Sequence, residues 1–181
     1  PRQFVHLLAA LVVSASATAH ATGAIEPDAR AALQGKQALA QALLRIWGFE
    51  VYDATLYAQR GFDPSNYARE RFGLELHYRR SFKGADIARR SIDEIRDIDK
   101  PSDSQSAAWL QEMTRLFPDV QPGDRILGVH VPGSGARFYL NGRLLGEVSD
   151  VTFSERFFGI WLSPQTSQPR FRETLLAQLR R

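Results

Sequence analysis

FGLELHYRR, residues 72–80, alternates without interruption. Phe72, Leu74, Leu76 and Tyr78 fall on one side of an extended chain, and Glu75, His77 and Arg79 fall on the other. That two-residue period is the mark of a half-buried strand. Upstream, residues 39–59 read as two consecutive strands or one long bent strand, with Gly48 at the bend. Within them, GFEVYDATLYA (48–58) sets Phe49, Val51, Asp53, Thr55 and Tyr57 on one face. Glu50, Tyr52, Ala54 and Leu56 take the opposite face. GFDPSNYARE (61–70) is a loop turning at Asp63-Pro64-Ser65-Asn66, and residues 22–34 form a polar, alanine-rich lead-in.

Downstream, residues 85–98 read as a helix with Ile87, Ser91 and Ile95 along one stripe. Asp86 and Arg90, Arg89 and Asp93, and Arg90 and Glu94 are each spaced for pairing one turn apart. SDSQ (102–105) has the form of a capping box before a second helix carrying Leu110, Met113 and Phe117. RILGVHV (125–131) and ARFYLN (136–141) are strands joined by a turn at Pro132-Gly133-Ser134-Gly135, and Asn141-Gly142 is a two-residue hairpin turn into RLLGEV (143–148). Helical stretches at 150–158 and 169–180 follow, separated by WLSPQTSQP. Strands, an inserted helix pair, a meander and closing helices together predict an α+β fold: one antiparallel sheet with helices covering one face.

Composition narrows the class. With 44% hydrophobic and 24% charged residues, the chain suits one globular domain. Its first segment differs: PRQFVHLLAALVVSASATAHA (1–21) has an early arginine, an apolar centre from Phe4 to Val13, and small residues up to Ala19-His20-Ala21. This is the layout of a secretory signal peptide cut near Ala21, and its apolar run is too short to span a bilayer. The expected product is a periplasmic or secreted domain of residues 22–181 with no membrane span. It contains no cysteine, so its core must hold by burial alone. The net charge of +3 comes from scattered, mostly arginine side chains without interleaved aromatics, which argues against nucleic acid as a partner.

Few residues suggest chemistry. His77 and His130 lie on separate strands and no cysteine accompanies them, so neither a zinc site nor any other cofactor is expected. A cysteine nucleophile is impossible, and no G-x-S-x-G elbow supports a serine one. Gly133-Ser134-Gly135 sits between strands and reads as a turn rather than a phosphate loop. Asp93, Glu94, Asp97 and Asp99 have helical spacing and read as partners of arginines rather than calcium ligands. FFGIWLSP (157–164) reads chiefly as core, with cleft lining the lesser reading.

In order, GFEVYDATLYA, LELHYRRSFKGADIARRSIDEI, FPDVQPGDRILGVHV, FYLNGRLLGEVSD and FFGIWLSPQTSQPRFRETLL resemble the bacterial chalcone isomerase-like family, in its exported branch, over about residues 33–180. The resemblance implies an open-faced β-sandwich with a cleft between sheet and helices. Plant chalcone isomerases use such a cleft to close a chalcone to a flavanone; non-catalytic relatives bind fatty acids in it. Matched position by position, the family's catalytic threonine falls at Tyr52. Its arginine falls near Ala40, with Arg45 the closest basic residue, and its helix tyrosine falls at Ile87. Its asparagine falls at Glu94, and its last hydroxyl falls near Val148 or at Ser149, of which only Ser149 would serve. In this register Tyr52 looks into the cleft, while Asp53 packs elsewhere against an arginine or backbone N–H groups.

Most of the isomerase constellation is thus changed. The resemblance implies an exported protein that binds a small amphipathic ligand such as a fatty acid. Arg45, Arg89 or Arg90 would hold the carboxylate and Tyr52 would hydrogen-bond it. Ile87, Glu94 and Ser149 are the other ligand-facing positions. Two alternatives stand beside this. One is an isomerase (intramolecular lyase) acting on a chalcone-like or other conjugated phenolic substrate through Arg45 and Tyr52. The other is a cell-envelope interaction module with a filled cleft.

Overall fold

The structure, a computed structural model, describes residues 27–180; the expected signal peptide lies outside the described residues. Six strands run in chain order through one antiparallel sheet: β1 (Gln37–Ile46), β2 (Phe49–Ala58), β3 (Phe72–Tyr78), β4 (Arg125–Val131), β5 (Gly135–Leu140) and β6 (Arg143–Val148). Two helices, α2 (Gly84–Ile98) and α3 (Asp103–Leu116), are inserted between β3 and β4. α4 (Val151–Leu162) and α5 (Pro169–Leu176) follow β6, and the short α1 (Pro27–Ala32) precedes β1. This is the expected open sheet with helices, an α+β fold. Among the described residues, no helix is long and apolar enough to cross a membrane.

The predicted alternation builds the core. Leu44 on β1, Leu56 on β2, the Phe72, Leu74, Leu76 and Tyr78 row of β3, Ile126 on β4 and Phe138 on β5 share one buried cluster with Ile92, Met113, Phe153, Phe157 and Phe158 from the helices. Gly128 on β4 lets Phe158 lie close to the sheet: a Cβ there would meet its ring at 3.1 Å. The two α3 ends are set as the sequence suggests. Ser102 and Gln105 form a reciprocal capping box, and Phe117 is the C-cap. Asp150 caps α4 through a bond from Phe153 N at 2.9 Å, and its other oxygen accepts from Trp109 Nε1 of α3 at 2.8 Å.

Residues 39–59 prove to be two strands, joined by a tight turn at Trp47-Gly48 with φ of 50° and 83°. The Asn141-Gly142 hairpin has the same left-handed pair, φ of 49° and 88°. Several expectations need correction. The lead-in is not merely polar: α1 and the residue after it lay Ala29, Ala32 and Leu33 on the far face of the sheet, against Leu127, Val129 and Tyr139. Glu75 on β3 is only 6% exposed, where a half-buried strand predicts an exposed one, and Arg125 Nη1 bonds it at 2.8 Å. The loop at 61–70 contains a 3-10 segment (Pro64–Arg69) started by Asp63, and α4 continues through Trp161 and Leu162.

β1 is an edge strand, and its edge is occupied. Gln178, in a 3-10 turn (Ala177–Arg180), accepts from Gln41 N at 3.2 Å and donates Nε2 to Gln41 O at 2.7 Å.

A candidate ligand cavity between sheet and helices

Where α2, α4 and α5 cross the β1–β2–β3 end of the sheet, they do not close onto it. A cavity of about 350 Å³ remains, open on one side. Its floor is Leu44, Ile46, Val51, Tyr52, Leu76, Tyr78 and Ile126 from the sheet. α2 contributes Asp86, Ile87, Arg90, Ser91 and Glu94; α4 contributes Phe157, Ile160 and Trp161; Phe171 of α5 and Gln168 complete the wall. The lining is overwhelmingly apolar, with few polar groups, which is the usual make-up of a small-molecule pocket.

The position of Tyr52 follows from a break in the alternation. β1 and β2 shift register between Leu44 and Arg45, so that Leu44 pairs with Tyr52 but Arg45 with Glu50. Val51 is the extra residue, and it faces the cavity beside Tyr52. Glu50, expected on the Tyr52 face, instead joins Asp53 on the far side, where Arg79 bonds both: Nη1 to Glu50 at 3.0 Å and Nε to Asp53 at 2.7 Å. Asp53 is therefore a structural acid held by an arginine.

Tyr52 stands across from Tyr78 on β3, their rings 5.9 Å apart, and packs edge-on to Phe171 at 6.4 Å. Its hydroxyl accepts a hydrogen bond from Trp161 Nε1 at 2.9 Å. Burial lifts the Tyr52 pKa far above its ordinary value; the Trp161 bond opposes the shift and the Glu94 charge adds to it. Burial lifts Tyr78 likewise, with Tyr52 reinforcing it. Both phenols stay neutral and can donate.

The structure brings Tyr52, Ile87, Arg90 and Glu94 together at the cavity, and leaves Arg45, Arg89 and Ser149 away from it. Arg45 alternates with the cavity-facing Leu44 and Ile46, so it points to the opposite side and bonds Glu50 at 2.7 Å. Arg89 pairs with Asp86 one turn back, rather than with Asp93. Ser149 is exposed in the step from β6 to α4. Arg90 pairs with Glu94 as its spacing suggests. Trp161, Tyr78 and Phe171 were not among the expected ligand positions. The first belongs to FFGIWLSP, whose two readings both hold: Phe158 is core, and Trp161 is core and cavity wall at once. Tyr78 follows from the alternation of β3, whereas Phe171 carries no signal of its own.

His130 and Ser154 form another polar cluster in the interior, fully buried and outside the cavity lining. His130 Nε2 lies 2.9 Å from the Ala68 carbonyl, which can only accept, so this nitrogen carries the proton; Nδ1 faces Ser154 Oγ at 2.6 Å. The pair ties β4 to α4 and the 3-10 segment, with no route for a substrate.

Comparison with known proteins matches this geometry to a lineage. A sequence profile described as chalcone isomerase-like matches residues 42–177. An uncharacterised protein of Haemophilus influenzae is 32% identical over 133 residues, covering 73% of this chain and 64% of the relative, so the chain spans less than two thirds of that protein's length. The crystal structure of an Arabidopsis thaliana fatty-acid binding protein superposes with a TM-score of 0.61 at 13% identity, covering 80% of this chain and 88% of that one. At that identity the likeness is one of fold.

Proposed function

The chain belongs to the chalcone isomerase-like family, and from that premise we propose that it is a non-catalytic binding protein, holding a small amphipathic molecule between sheet and helices. The carrying observation is the cavity itself: about 350 Å³ of mainly apolar space, open on one side, with Tyr52, Arg90 and Glu94 among its polar points. The Arabidopsis neighbour, a fatty-acid binding protein, supports an alkyl-chain ligand for this shape of site. Export belongs to the same reading, on the strength of the leader-like residues 1–21.

Catalysis by the isomerase route is the weaker reading. Holding a phenolate requires a free cation in the cavity. Among the lining residues Arg90 is the one arginine, and it is paired with Glu94. Organic extraction of freshly purified protein, followed by mass spectrometry, tests the binding reading. An amphipathic molecule should be recovered in near-equal molar amount, and Ile87→Trp, which fills the space, should reduce it. Recovery of nothing, together with no change in tryptophan fluorescence on adding decanoate or decanol, would leave the filled-cleft interaction module standing instead.

A further inference from the structure

The polar points of the cavity are not balanced. Glu94 lines it while only 6% exposed. One of its carboxylate oxygens, Oε1, takes a bond from the Arg90 guanidinium. The other, Oε2, is buried with no hydrogen-bond partner. Buried acceptors are ordinarily satisfied, so an orphan oxygen on a residue that lines a ligand-sized space points to a donor brought by something else. Arg90 reaches Glu94 from the solvent side, with its side chain 63% exposed, and its bond is to Oε1 alone.

Tyr52 has the complementary gap. Its oxygen accepts from Trp161 Nε1, so its own hydrogen remains to be given. An apolar cavity with a spare acceptor on Glu94 and a spare donor on Tyr52, beside the neutral Tyr78 phenol, fits a hydroxyl group, which can donate and accept at once. A ligand carboxylate fits poorly. It has no hydrogen to give Oε2, it brings a second negative charge towards Glu94, and the charge of the one lining arginine is already balanced by that acid.

We propose that the cavity selects a neutral amphipathic molecule whose polar end donates a hydrogen bond to Glu94 Oε2 and accepts one from Tyr52, a long-chain alcohol being the simplest example, in preference to a carboxylate. This rests on the binding reading and names the headgroup it takes. The cavity's own charge, rather than its shape, then sets the choice.

Calorimetric titration of the delipidated protein at neutral pH with decanol, decyl methyl ether and decanoate tests it. Decanol should bind about tenfold more tightly than either of the others, the ether lacking the hydrogen and the carboxylate carrying the charge. In Glu94→Gln the decanoate deficit should shrink by a similar factor. The ranking in the unaltered protein decides the matter even if that variant folds poorly. Decanoate binding as tightly as decanol, or the ether matching the alcohol, would overturn the headgroup assignment while leaving a working cavity. Failure of all three to bind would remove the binding reading itself, and this inference with it.

Discussion

At the scale of single residues, the cavity wall depends on one bond more than on any other: Trp161 Nε1 to the Tyr52 hydroxyl. Tyr52→Phe keeps the ring contacts with Tyr78 and Phe171 but strands a buried indole N–H. It should cost about 1–3 kcal/mol, read from urea unfolding, where loss of a hydroxyl with no bonded partner would cost almost nothing. His130 supplies a pH dependence. Burial holds its imidazole below the ordinary 6.5, against the pull of the Ala68 carbonyl. As pH falls through about 6.5 the unfolded chain therefore takes up a proton before the native one does. Stability from this source is intact above that pH and is lost downward, until the folded ring itself protonates. Partly exposed His77, also lowered chiefly by burial, acts with the same sign. The thermal midpoint should fall on acidification from neutrality, and His130→Gln should lower it at neutral pH yet flatten the decline. An unchanged slope in that variant would contradict this account. At this scale the sequence was half readable. The Tyr52 and Asp53 faces follow from period two, but the register shift at Val51 does not, because a bulge leaves no mark in a pattern of apolar and polar letters. The same arithmetic could have warned about Arg45, whose neighbours Leu44 and Ile46 already claim the cavity side.

At the scale of elements, α2 is the roof of the cavity, and its first residue fixes how low that roof sits. A Cβ on Gly84 would lie 2.0 Å from Phe117 O and 2.7 Å from Phe117 C, backbone atoms that cannot rotate aside. Asp119 also accepts from Gly84 N at 3.0 Å, locking the helix start to the segment after α3. Gly84→Ala should therefore destabilise by about 1–3 kcal/mol or more, and should change ligand affinity along with stability because α2 must move to relieve the overlap. Equal affinity in the folded variant would show that the cavity tolerates the shift. Elements with local chemistry were legible in advance: the Ser102–Gln105 capping box, the Asn141-Gly142 turn and the alternation of β3 are each written in adjacent residues. α1 was not, since six residues are too few to show a helical period. The burial of Glu75 was not legible either, because its partner Arg125 comes from a neighbouring strand distant in the chain.

At the scale of the whole molecule, the strands neighbour one another in the order in which they occur, so every sheet contact is between consecutive strands and the inserted α2–α3 pair is the one large excursion. That is why element order alone was enough to anticipate an open antiparallel sheet under helices. The cavity was harder to foresee, because it exists only where three helices fail to close over three strands, and no single segment records that gap. An open sheet leaves two borders, and the Gln178 amide imitates a neighbouring strand at one of them by bonding both backbone groups of Gln41. Its carboxamide acts as a chain terminator for the ladder. Gln178→Ala, or a chain cut back to Leu176, should acquire concentration-dependent self-association through β1, visible as growing mass in light scattering, while the parent protein does not. Solubility in this molecule would then be guarded by a side chain in a short 3-10 turn, far in sequence from the strand that needs the guard.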